Sequence, residues 1–264
     1  MNNYAFMLNY LNTHASDDSY SKIILFLIKN RKTATHISIQ EVADACFVSN
    51  ATISRFSKYF GFDNFSSLKK YIYDHSDIVP RLTFRIQNKS FSRLEKQPKK
   101  FLEEYKTIIE KSLDDVIDCL DMTTTDNFLE DIHSFENVYI FSSDNSFNLT
   151  QELQRGLFVS GKLVVSGQSE DDMERIVKEL DAESLVIIIS SFGNFLSEYP
   201  KIVNRIIKSK CNSCFLTQHT ENMISSSFSR VISVTSHNHV EAGSYPLAFY
   251  CEFLVRRYFS LFGM

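Results

Sequence analysis

Two groups of residues in this chain have the types and spacing for molecular recognition. The first is Ser49-Asn50-Ala51-Thr52-Ile53-Ser54-Arg55-Phe56, followed by Lys58. In a helix, Ile53, Phe56 and Phe60 share one face and leave Asn50, Ala51, Ser54, Arg55 and Lys58 facing outwards. Backbone amides at the helix start, near Ser49 and Asn50, suit a phosphate oxygen. Asn50, Ser54 or Arg55 could read a base edge, where a bidentate contact discriminates by about 1–3 kcal/mol. Lys58, with Lys69 and Lys70 beyond it, suits backbone phosphates. Ser49, Asn50, Thr52, Ser54, Arg55 and Lys58 are therefore the candidate DNA contacts. The second group occupies two loops, Ser142-Ser143-Asp144-Asn145-Ser146 and Ser190-Ser191-Phe192-Gly193-Asn194-Phe195. There Ser143, Asn145, Ser146, Ser190, Ser191 and Asn194 offer hydroxyls and amides that suit a phosphate or a sugar.

Other clusters are expected to be structural. Cys211-Asn212-Ser213-Cys214 has redox or half-zinc spacing, but the sequence holds no second C-x-x-C and no H-x-x-x-H. The pair also leads into a strand instead of opening a helix, so it lacks a thiolate-stabilising dipole. His237-Asn238-His239 has metal-like spacing only when extended, with no acidic or cysteine partner fixed nearby, and is expected in a surface loop. His237 or His239 with Glu241 could supply the general base of a sugar isomerase, although no arrangement compels it. The seven glycines are too scattered for G-x-G-x-x-G or a P-loop, which disfavours dinucleotide binding and Walker-type phosphate transfer. Neither a metal nor a cofactor is expected.

The elements that position these residues change character along the chain. Residues 1–75 read as short helices. Asp17 and Asp18 can cap one, Ser38 and Glu41 have capping-box spacing before another, and Ser49 or Asn50 can cap the next, which Gly61 ends. Two such helices around a break at Phe47-Val48 have helix-turn-helix spacing; a small protein-binding bundle is the alternative. Gln87–Pro98, rich in Lys, Ser and Gln, reads as linker, and the apolar positions from Phe101 to Leu120 give one long amphipathic helix. Beyond it, strand candidates at 138–142, 162–166, 184–190, 213–217 and 231–235 alternate with helical segments near 147–158, 171–180, 196–209, 221–227 and 244–262. That alternation argues a doubly wound, parallel five-stranded α/β sheet after an all-α helix-turn-helix domain. The Phe-rich last segment, with Phe249, Phe253, Leu254, Tyr258 and Leu261, is expected in the core or at a subunit interface.

Composition agrees with this division. With 44% hydrophobic and 23% charged residues the chain is neither disordered nor collagen-like, and no apolar run is long enough for a membrane span. From five scattered cysteines and no signal-like start, a cytoplasmic location is expected. Net charge is −4. Residues 79–111 hold nine Lys/Arg against four Asp/Glu, whereas residues 112–264 hold eleven against twenty-one. A polyanion should therefore meet the N-terminal third.

Ser38-Ile39-Gln40-Glu41-Val42-Ala43, Val48–Phe56 and Phe60–Lys69 together resemble the N-terminal domain of the MurR/RpiR family of bacterial transcription regulators. That family places a sugar-isomerase (SIS) domain after the reader, where the alternating segment lies. The resemblance implies a phosphosugar effector at the two hydroxyl-rich loops. SIS domains show G-x-G-x-S at the first; here Ser142 and Asp144 stand at the glycine positions and Ser146 matches. At the second, S-x-S-G-x-T, Ser190 and Gly193 match, while Phe192 and Phe195 replace the second Ser and the Thr.

The expected organisation is a DNA-binding domain over residues 1–78, a basic linker over 79–98 and a SIS-like sensing and oligomerisation domain over 99–264. The expected function is sequence-specific transcription regulation on double-stranded DNA, without enzymatic activity, in response to a sugar phosphate. The expected assembly is a homodimer or homotetramer, with no membrane partner. The alternatives are a sugar-phosphate isomerase or binding protein with a helical oligomerisation domain, and a regulator whose SIS domain binds no ligand.

Overall fold

The computed structural model describes residues 3–75, 88–142, 146–167, 170–220 and 226–263. The chain forms two compact units, Asn2–Thr83 and a second that begins at Phe84 and runs to Met264.

The first unit is all-helical. Helices α1 (Asn3–Thr13), α2 (Ser19–Lys29), α3 (Ile39–Cys46), α4 (Asn50–Tyr59) and α5 (Phe65–Asp74) are joined by short turns and one 3-10 segment, Arg31–His36. Asp18, not Asp17, caps α2, accepting from the Tyr20 and Ser21 amides. Burial pushes the Asp18 carboxyl up, but those two bonds and a third from the Tyr10 hydroxyl outweigh it and leave the pKa below the ordinary value. Ser38 and Glu41 form the capping box that opens α3. Fully buried Met7, Ile23, Ile24, Leu27, Val42, Ile53, Phe56, Phe60, Leu68 and Ile72 make the core.

The second unit opens with α6 (Asn88–Lys96), α7 (Pro98–Cys119) and α8 (Met122–Ser134). The composition predicts a linker over 79–98, yet residues 88–96 are helical, and Arg93 of α6 meets Glu104 of α7 at 2.6 Å. Residues 79–87 lie outside the described ones. The long amphipathic helix is α7; α8, capped by Asp121, was hidden by its threonines and starts a new direction immediately after it. Then follow β1 (Asn137–Ser142), α9 (Phe147–Val159), β2 (Val165–Ser166), α10 (Glu170–Ile176), β3 (Ser184–Ile189), α11 (Phe195–Glu198), α12 (Pro200–Lys208), β4 (Asn212–Thr217), β5 (Arg230–Ser233) and α13 (Tyr245–Phe262).

The five strands form one sheet in the order β2-β1-β3-β4-β5, every neighbouring pair parallel. Strand β3 is buried on both faces along its length, as its Leu-Val-Ile-Ile-Ile run requires. One face packs on α7, α8, α9 and α13 through Ile187, Ile189, Leu216, Leu153 and Leu254. The other packs on α10, α11 and α12 through Val186, Ile188, Phe215, Phe195 and Ile202. Two details depart from the sequence reading. Strand β2 keeps two residues of the five expected, at an edge of the sheet where Leu163 and Val165 are exposed. The helix expected over 196–209 is broken at Pro200, which cannot donate to a continuing helix and instead starts α12. Of the helical segment expected over 221–227, residues 221–225 lie outside the described ones.

Candidate functional site

Helix α4 is built to show one face. Ile53 and Phe56 are buried with Ser57, and Phe60 follows them into the core. Ser49 is the N-cap; its hydroxyl accepts from the Thr52 amide at 3.1 Å. Ser49, Asn50, Ser54, Arg55 and Lys58 are exposed and Thr52 is half-buried, so all six sequence candidates share the outward side. Their hydrogen bonds are local. The Asn50 amide donates to Gln40 of α3 at 3.0 Å, the Ser54 hydroxyl donates to the Asn50 carbonyl, and Arg55 reaches Thr52 Oγ1 at 3.5 Å. Contacts of this length to exposed neighbours exchange readily for contacts to a ligand. Lys69 is different: its ammonium donates to the Thr35 and Ile37 carbonyls and lies over the Phe65 ring. It ties α5 to the 3-10 segment, which makes it a structural residue where the sequence suggested a phosphate contact.

The turn between α3 and α4 carries a residue that the sequence reading noted only as a break. Phe47 sits in the left-handed region, with φ 56°, and is 91% exposed. Most such positions hold Gly or Asn, because a Cβ there crowds the following carbonyl.

In the second unit, strand order reverses between β1 and β3, so the crevice beyond their C-terminal ends is the switch point where ligands of such sheets bind. The loops expected to form it follow these two strands. Ser143, Asn145 and Asp144 lie outside the described residues. Ser146, Ser190 and Ser191 are fully buried and brought together. Ser146 Oγ lies 3.0 Å from Ser191 Oγ and accepts from the Ser191 amide, and Ser191 Oγ donates to Ser244 Oγ at 3.1 Å. Ser190 Oγ accepts from the Phe195 amide. Asn194 is half-buried at the start of α11 without a side-chain capping bond. Phe195 fills its position as core, packing on Tyr199. Ser244, at the head of α13, joins this hydroxyl network; nothing in its sequence neighbourhood marks it.

The histidines lie in a surface loop as expected, with His237 exposed, but the loop is not without an acidic partner. An acidic partner is present: Asp115 of α7 lies 2.7 Å from His239 Nε2 and 3.8 Å from His237 Nδ1. Asp115 also accepts from the Ser236 amide and hydroxyl. Burial raises its pKa, but the bonds from His239, Ser236 and Cys119 outweigh that and hold the carboxyl below its ordinary value. Both histidines are thereby drawn towards α7. More than a hundred residues separate the partners, so spacing could not reveal them. Cys211 and Cys214 are buried free thiols with pKa values raised by burial, the opposite of an activated pair.

Comparison with known proteins places these features. Residues 6–75 match the model of a helix-turn-helix domain of the rpiR family. The HTH-type transcriptional regulator GlvR of Bacillus subtilis is 23% identical over 199 residues, covering 73% of this chain and 68% of that protein. Among solved structures, the Vibrio vulnificus NanR protein complexed with ManNAc-6P superposes with a TM-score of 0.56 at 14% identity, over 99% of this chain and 92% of that one. The sugar isomerase domain of an RpiR transcription factor from Sphaerobacter thermophilus gives 0.56 at 12% identity, over 62% of this chain and 92% of that one. At such identities these structures share the fold, and the five-stranded parallel sheet with helices on both faces is the SIS-type arrangement. With its capped, outward-facing α4 and its match over residues 6–75, the N-terminal part of this chain belongs to the rpiR family of helix-turn-helix domains.

Proposed function

We propose that the chain is a transcription regulator that reads double-stranded DNA with α4 and responds to a sugar phosphate at the switch point of its sheet. The observation that carries this reading is the outward face of α4, with Ser49, Asn50, Thr52, Ser54, Arg55 and Lys58 presented together along one helix of a family-matched reader. Ser49 and Asn50 lie where helix amides favour a phosphate, Arg55 or Asn50 reads base edges, and Lys58 meets the backbone. The effector reading rests on the fold and on the sugar phosphate named for the NanR relative. Ser143, Asn145, Ser146, Ser190, Ser191 and Asn194 are its candidate contacts, with the buried Ser146 and Ser191 hydroxyls and the half-buried Ser244 hydroxyl as the floor of the crevice.

The protein acts in the cytoplasm, without enzymatic turnover, as a homodimer or homotetramer. Among the described residues no helix is long and apolar enough to cross a membrane. Exposed Phe158, Val159, Leu163 and Val165 around the β2 edge offer an apolar face for association. Paired readers would meet a palindromic operator, and a sugar phosphate that binds one arrangement better would shift their spacing.

Sequencing of genomic fragments bound by the purified protein at two salt concentrations tests the reading. A palindromic site should be enriched, and Arg55→Glu should abolish the enrichment while leaving the fold intact. Binding that is sequence-blind and erased by salt would overturn it. Thermal shifts against a panel of sugar phosphates test the effector, since a ligand of the folded state raises the midpoint and Ser191→Ala should reduce that rise.

A further inference from the structure

We infer that Asp115, His237 and His239 form a binding site for a divalent transition-metal ion of the zinc class. Three ligand atoms, one carboxylate oxygen and two imidazole nitrogens, lie within 4.8 Å of one another. Ligands of a tetrahedral zinc ion stand about 3.3 Å apart, as follows from metal–ligand bonds of about 2.0–2.2 Å. The distances from Asp115 Oδ2, 2.7 Å to His239 Nε2 and 3.8 Å to His237 Nδ1, straddle that value. Adjustments of about half an ångström in these two distances, well within side-chain rotation, bring both histidines to that spacing from Asp115.

The ligands come from two elements and are held by their surroundings. Asp115 projects from the penultimate turn of α7, and the histidines from the loop after β5. The Ser236 amide and hydroxyl fix Asp115 Oδ2, and the Ser236 hydroxyl lies 3.0 Å from His237 Nδ1. Thr235 Oγ1 donates to the His237 carbonyl, and the His239 amide donates to the fully buried Gln218 side chain, which itself donates to the Gly243 carbonyl. The bonds to Thr235 and Gln218 position the two histidines through their backbone, while the bonds made by the ligating atoms themselves are exchanged for bonds to the ion.

The two imidazoles lie side by side, with ring centroids 4.0 Å apart and planes tilted by 42°, which brings both rings within reach of one ion. His237 has a side chain 66% exposed, which leaves a path for the ion, while His239 and Asp115 are largely enclosed. Two histidines and one carboxylate leave at least one coordination position for water or an anionic oxygen. The bound ion staples α7, the long helix that follows the reader in sequence, to the strand ends on which the switch-point crevice also opens.

The test uses the full chain, stripped with chelator, dialysed and titrated with zinc, with metal content and calorimetry as readouts. One equivalent per chain is expected. Replacing a ligand should weaken binding by more than about tenfold, since even outer-shell changes cost about 10–100-fold. His237→Ala is the decisive variant, because this exposed side chain can be removed without disturbing the core; His239→Gln and Asp115→Asn should behave alike. His36→Ala, on the exposed 3-10 segment, should bind as the parent does. Cobalt should give a visible absorption band that His237→Ala removes. Absence of stoichiometric zinc in the parent, or zinc and cobalt binding unchanged in His237→Ala, would overturn the inference. None of these outcomes depends on whether the crevice binds a sugar phosphate.

Discussion

Phe47 shows how one side chain can sit against its own backbone. Its left-handed conformation costs a residue with a Cβ about 1–2 kcal/mol, and its ring, 91% exposed, regains little from packing. Phe47→Gly should therefore raise stability by about 1 kcal/mol, less the entropy that glycine adds to the unfolded chain; denaturant melts showing a loss would contradict this. Thr217 is a second case. Its hydroxyl is buried at the end of β4 with no partner among the described residues, so Thr217→Val should stabilise by about 1 kcal/mol. A destabilised Thr217→Val variant would reveal a partner for that hydroxyl. At this scale the sequence was informative about α4, whose exposed Asn50, Ala51, Ser54, Arg55 and Lys58 follow from the apolar spacing of Ile53, Phe56 and Phe60. It was silent about Asp115, because a carboxylate on an amphipathic helix looks like any solvated charge.

Between elements, the packing of α9 on α13 turns on Gly156. A Cβ there would lie 2.4 Å from a Val255 methyl, and Val255, branched at its own Cβ, has no rotatable length to withdraw. Helix propensity alone would make Gly156→Ala stabilising by about 1 kcal/mol. The overlap costs about 1–3 kcal/mol and should win, so the variant melts lower. Adding Val255→Ala should restore part of the loss, and strict additivity of the two changes would refute the close approach. Element boundaries were readable where local chemistry sets them: the Ser38–Glu41 box opens α3 and Pro98 opens α7. They were not where the cause lies elsewhere. Strand β2 is two residues long at an edge of the sheet, with Leu163 and Val165 exposed, and α6 forms where polar composition suggested linker, with Arg93 reaching α7.

For the whole molecule, buried or bonded carboxylates set the response to acid. Asp126, held down chiefly by the paired bonds from Arg257, joins Asp18 and Asp115, where hydrogen bonds outweigh burial. Each has a folded pKa below its unfolded one. Their contribution is therefore fully present above the ordinary carboxylate range near pH 4 and is lost as pH falls through the lower folded values. Urea midpoints should hold between about pH 7 and 5 and drop below about pH 4. Asp126→Asn should flatten part of that drop; a profile flat to pH 3 would contradict the assignment. Because the chain has two compact units, each with its own core, two transitions should be sought.

By itself the sequence determined the class of each unit and the face of the reader, since periodicity and capping are local and act within a few residues. It also determined that the sheet is parallel, because near-continuous Val and Ile runs survive only when both faces are covered. Tertiary structure alone decided strand order, and with it the switch point at which Ser146 and Ser191, 45 positions apart in the chain, meet. It alone brought Asp115 to His237 and His239. Both are long-range events, settled by how the helices cover the sheet, and no spacing along the chain encodes them.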